Sequence, residues 1–197
     1  MATDYRSDIQ DLEVAFVANE RAARSLLDGL SEAHGVWRAE PDSWSVAQCL
    51  DHLATANRVY LEAMRPAAER ALQQGRHRRG PAVPGLIGGW FVRTMEPPVK
   101  PRRKLKAPKK IVPRPSPPLR DSADQYFASQ DQVRAFLQRY ADIDLAGVRF
   151  VNPFVAVIRW SLATGLHVIA AHERRHLWQA WNVRAALESG GIHKPSS

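Results

Sequence analysis

The chain has 197 residues, is 45% apolar and 24% charged, and carries a formal net charge of +8, the composition of an ordinary globular domain with enough chain to bury a core. Its one cysteine, Cys49, excludes an intramolecular disulfide framework. The first ten residues lack the apolar stretch of a signal peptide, and the longest uncharged run near the C-terminus, 160–171, falls far short of the ~20 residues a membrane span needs. A soluble cytoplasmic protein is therefore expected. In chain order, four segments repeat apolar residues at helical spacing. The first, 7–33, has the stripe Ile9, Leu12, Phe16, Ala23, Leu26, Leu27 and Leu30. The second begins at Ser45, an N-cap with Gln48 three residues on in the capping-box pattern. It continues through Val46, Leu50, Leu53, Ala56, Tyr60 and Met64, with a candidate kink at Pro66 and an end no later than Gly75. The third starts near 122, turns Tyr126, Phe127, Val133, Phe136, Leu137 and Tyr140 inward, and ends before Gly147. The fourth covers 159–188. Residues 148–158 are the one β-prone stretch, and Pro153 interrupts it. This pattern predicts an all-α fold, a four-helix bundle.

Between helices 2 and 3 the character changes. Residues 76–120 hold thirteen Lys/Arg against one acid, Glu96, and ten of the fourteen prolines, while the rest of the chain has fifteen basic and nineteen acidic residues. Proline withholds its N–H and restricts the residue before it, so 96–119 is expected as extended, polyproline-like chain. Residues 85–94 (GLIGGWFVRT) form an apolar island, either a short helix or a plug on the body. The chain thus reads as one domain, 1–197, with a long proline-rich basic crossover between helices 2 and 3. The basic run invites a nucleic-acid reading, but 96–119 has no Phe, Tyr or Trp to stack bases, and phosphate attraction alone is weak and salt-sensitive. Neither nucleic acid nor a membrane is expected as a partner.

The histidines carry the sharpest signal. The inward stripe of the fourth segment, Leu162, Leu166, Ile169, Ala180, Val183 and Leu187, passes through 172 or 173 and through 176. His172 and His176 are thus four apart at inward positions, a two-ligand arm for a divalent metal. His52, on the flank of the second stripe, is the candidate third ligand. His77 lies among arginines, His34 at a helix end, His193 in the tail, and His167 points about 140° away from His172. A core histidine held only by hydrogen bonds is the plainer competing reading. Trp178 and Trp181 are candidate shields. Glu173 and Gln179 are candidates to fix the imidazole tautomers, and Glu173 is also a candidate surface partner of Arg174 or Arg175. Cys49 is either a soft ligand or, more simply, a small buried side chain. Arg174, Arg175 or the crossover lysines are candidates to hold a substrate carboxylate, with solvated surface as the plain alternative. Residues 172–176 also spell H-E-x-x-H, the zinc-protease signature. Its extended form needs Gly at 179 and His at 182, where this chain has Gln179 and Asn182, and no sheet is expected to bind a peptide. A metallopeptidase is set aside.

The run Trp44-Ser45-Val46-Ala47-Gln48-Cys49-Leu50-Asp51-His52-Leu53 resembles the W-S-x-x-x-x-x-x-H-L start of helix 2 in the DinB-like superfamily. His172-Glu173-Arg174-Arg175-His176-Leu177-Trp178-Gln179 resembles its late H-x-x-x-H-x-x-Q signature. The resemblance covers roughly 8–187. It implies a DNA-damage-inducible-type four-helix bundle that holds a divalent metal, nickel or zinc most often, on three histidines. Carried over by position, these are His52, His172 and His176. It also implies a homodimer, and a small-molecule substrate or low-molecular-weight thiol as partner. Some relatives are thiol-dependent transferases or isomerases, and others are metal-dependent hydrolases. The motifs define a metal site and name no catalytic or substrate-binding residue. Two readings stand: a metal-dependent transferase or hydrolase, and a non-catalytic ligand- or partner-binding bundle whose basic crossover contacts anionic partners.

Overall fold

In the computed structural model, which describes residues 6–98 and 107–190, helix ends fall where local chemistry puts them. Helix α1 (Arg6–Leu27) stops before Gly29, whose φ of 67° suits glycine, and the chain re-enters a one-turn helix, α2 (Glu32–Val36), capped by Ser31. The single helix expected over 7–33 is therefore two. The capping box forms as expected. Ser45 Oγ accepts from the Gln48 backbone N–H at 3.2 Å, and Gln48 Oε1 accepts from the Ser45 N–H at 3.1 Å. From that cap α3 (Val46–Gln73) runs unbroken through Pro66.

The apolar island is helix α4 (Leu86–Met95). After it, the described part of the crossover contains one 3₁₀ turn, Lys109–Ile111, and is otherwise extended. The expectation of polyproline-like chain at 99–106 lies outside the described residues. Helix α5 (Leu119–Arg139) begins directly after Pro118, three residues before the expected start. Pro118 has no capping side chain. The Glu32 carboxylate of α2 accepts the Leu119 N–H at 2.5 Å and the Arg120 N–H at 3.3 Å in its place.

The fourth helix, α6 (Leu162–Glu188), starts three residues later than expected because 159–161 is a strand. Strands β1 (Arg149–Val151) and β2 (Arg159–Ser161) pair antiparallel, Phe150 opposite Trp160. Asn152 Oδ1 accepts the Phe154 and Val155 N–H groups and turns the chain at Pro153. Ser161 ends the strand and caps α6, its Oγ accepting from the Thr164 N–H at 3.0 Å.

The structure is mostly helical, as the periodicity predicted. Among the described residues, α3 packs on α5 and α6, α1 packs on α6 and α5, and α4 lies across α6. At Gly165 the α3–α6 approach is close enough that a Cβ would fall 2.7 Å from Met64 Sδ. The apolar core divides into two clusters. One contains Leu12, Phe16, Tyr60, Met64, Val133 and Leu166, and the other Ala23, Leu26, Leu50, Leu53, Tyr126 and Leu177. In all four long helices a polar residue stands between the two sets: Asn19, Asn57, Ser129 with Gln130, and Glu173, each at most 3% exposed.

Candidate metal centre

The second half of the crossover builds one wall of the site. An extended proline-rich chain forms no internal hydrogen bonds, so its carbonyls are free acceptors. Gln48 Nε2 donates to the Arg114 and Pro115 carbonyls, both at 3.1 Å, and Arg38 donates to Pro115 O. Asp51, buried on α3, accepts the Arg114 backbone N–H at 2.9 Å and the Arg114 side chain at 2.6 Å, and that guanidinium also reaches Asp121 at 2.7 Å. With the extended chain so tied, the Ile111 carbonyl comes 2.5 Å from His52 Nδ1. A carbonyl can only accept, so Nδ1 carries the proton and Nε2 is left as a lone pair.

His52, His172 and His176 converge, each offering a ring nitrogen, with these nitrogens within 4.8 Å of one another. His52 is 1% exposed and the other two 9%. His52 Nε2 lies 3.1 Å from His172 Nε2. His176 Nδ1 donates to Gln179 Oε1 at 3.0 Å, so its Nε2 likewise carries the lone pair. Ligands of a tetrahedral ion with metal–nitrogen bonds of ~2.0–2.1 Å sit ~3.3 Å apart, close to the spacing of the first pair. Trp44 covers the cluster, stacked on His176 at 5.5 Å and tilted against His52 at 4.8 Å.

All three imidazoles are held neutral. Burial drives His52 down to about 4, against the opposing pull of the Ile111 carbonyl and the Asp51 charge. Burial likewise pushes His172 and His176 well below the usual histidine range, helped by the neighbouring imidazoles and the Arg175 guanidinium. A neutral imidazole is the form that binds a metal.

Several sequence expectations resolve here. Gln179 fixes a tautomer, and Glu173 does not. The Glu173 carboxylate turns into the core, where Oε1 accepts from Asn57 at 2.7 Å and Oε2 from Asn19 at 2.8 Å and Gln130 at 2.7 Å. Burial raises it to about 7 against those three donors. It is neither a surface partner of the arginines nor placed to activate water for the three histidines, so the H-E-x-x-H spelling has no protease geometry behind it. Trp178 and Trp181 are each 37% exposed and do not shield the cluster. Trp44, from the opening motif, does. Cys49 is fully buried among apolar side chains, its thiol pushed up to about 12 by burial. His167 bonds the Ala82 carbonyl at 3.1 Å, His77 bridges to Ile143, and His34 sits in α2. His193 lies outside the described residues.

Asn19, Asn57 and Gln130 were not legible as site neighbours. Their one signal is a polar residue interrupting each apolar stripe at a helical position.

Residues 15–180 match the family model of the DinB superfamily. The chain belongs to the DinB superfamily. No curated protein and no solved structure matches it. In this DinB-superfamily chain the two sequence motifs are the two halves of one cluster: the W-S…H-L run supplies Trp44, the Ser45 cap and His52, and the late signature supplies His172, His176 and Gln179.

Proposed function

We propose that the chain is a single-domain, divalent-metal-binding four-helix bundle whose ligands are His52, His172 and His176, and that it acts on a small molecule at that metal. The observation that carries the reading is convergence: three imidazoles from two helices bring a ring nitrogen each within 4.8 Å of one another, and two of them give Nδ1–H to protein oxygens, which leaves Nε2 as the ligand atom. Three ligands leave a position for water or substrate, which suits catalysis better than a purely structural role. Bound there, nickel or zinc would supply Lewis acidity, lowering the pKa of a water or thiol. The chain's own part is orientation: the Ile111 carbonyl and Gln179 hold the rings, Trp44 limits water on one side, and burial keeps the imidazoles unprotonated. Metal-dependent thiol transfer and hydrolysis both use such a site.

Titration of chelator-treated protein with Co²⁺ tests the reading. We expect one equivalent to bind, with a visible d–d absorption, and His172→Ala to abolish both. Absence of uptake by the parent would leave a hydrogen-bonded histidine cluster.

A further inference from the structure

Arg175 lies on the flank of the α6 face that carries His172 and His176, three residues after His172, and its charge acts on both of those imidazoles. It is half-buried. Among the described residues it forms no ion pair and donates no hydrogen bond, whereas its neighbour Arg174 is bound by Glu96 at 2.5 Å and Arg184 bonds backbone carbonyls of 26 and 28 at 2.8 Å. Among residues 1–5, 99–106 and 191–197 the one acidic side chain is Asp4.

The acids nearest the cluster in sequence are both committed elsewhere. Asp51 holds Arg114, and Glu173 is turned into the amide layer. A dication on three neutral imidazoles, beside a guanidinium with no acidic partner among the described residues, is a concentration of positive charge that those residues do not compensate. A guanidinium offers five N–H donors in a planar fork that fits a carboxylate, and leaving them unmatched in a partly desolvated place is unfavourable. One guanidinium also matches one negative charge.

We propose that Arg175 is the anion-binding group of this site, and that the natural ligand is a small-molecule carboxylate whose other end meets the metal. This rests on the metal reading above.

The test is a selectivity comparison on the Co²⁺-loaded full chain, titrated with 3-mercaptopropionate and with 2-mercaptoethanol and followed by the thiolate–cobalt charge-transfer band. The two probes differ in the carboxylate, and comparing variants cancels their different thiol acidities. The parent should favour 3-mercaptopropionate by about tenfold more than Arg175→Met does, the scale of one charge-assisted pair at a half-exposed site. Arg175→Lys should retain part of that preference, and both variants should take up Co²⁺ and melt like the parent.

Equal selectivity in parent and Arg175→Met would overturn the proposal, with Arg175 then being solvated surface. Loss of Co²⁺ by Arg175→Met would also overturn it, by making the residue part of the fold. A parent that binds Co²⁺ without selectivity defeats this proposal alone. A parent that binds no Co²⁺ defeats the metal reading and this proposal together.

Discussion

At His52 the imidazole proton is committed before any ligand arrives, and the ring cannot take up a second one cheaply. Folding holds His52 at about 4 against an ordinary 6.5. The folded state therefore binds fewer protons than the unfolded chain in that window. The stability this contributes is complete above pH 6.5 and lost as pH falls toward 4, at most ~3 kcal/mol for this one residue. His172 and His176 act in the same direction. Glu173 opposes them. Its carboxyl, raised from 4.5 to about 7, favours the fold at acid pH and loses that contribution as pH rises from 4.5 to 7. Three histidines outweigh one glutamate, so urea unfolding of metal-free protein should show stability falling from pH 7 to pH 5. A curve that is flat or rises toward pH 5 contradicts the buried, neutral cluster. Glu173 allows a second test. Asn19, Asn57 and Gln130 each spend one amide N–H on the carboxylate and the other on a second acceptor, Ala170 O, Ser129 Oγ and Tyr126 Oη respectively. Glu173→Gln replaces an acceptor with donors that face donors. We expect a loss of about 2–4 kcal/mol by denaturant titration, and a loss under ~0.5 kcal/mol would contradict the network.

The crossover, among the elements, does work its composition hides. Basic charge and proline predicted extended chain, and 107–118 is mostly that. Its order comes from main-chain carbonyls taken by Gln48, Arg38 and His52, and every residue type supplies the same carbonyl. Such contacts have no sequence signature. The long helices were legible because burying a stripe requires 3.6-residue spacing. Their ends were less so. The Gly29 break follows from a left-handed φ, and the late start of α6 from strands of three residues, too short to show alternation. Arg114 is the element's fastening point. Arg114→Ala leaves the Asp51 side chain, 5% exposed, with the residue-114 backbone N–H as its partner. The expected cost is about 1–3 kcal/mol, with metal affinity about tenfold weaker as Ile111 loosens from His52. An unchanged affinity would detach the crossover from the site.

The whole molecule joins three separate pieces of chain at one point. His52 comes from α3, its orienting carbonyl from the crossover, and His172 and His176 from α6. The three converging histidines could be picked out beforehand because two share a helix face and the third sits in a capped motif. The polar layer between the two core clusters could not, since Asn19, Asn57 and Gln130 gain meaning when four helices align at one level. A ligand bound at that junction stabilises the fold by mass action, about 4 kcal/mol at a thousandfold excess over its dissociation constant. The most direct measurement is elemental analysis of tag-free protein beside His52→Ala and His176→Ala. The account predicts about one divalent metal per parent chain, nickel or zinc, lost in both variants. A metal-free parent that takes up neither Ni²⁺ nor Zn²⁺ on addition would contradict it.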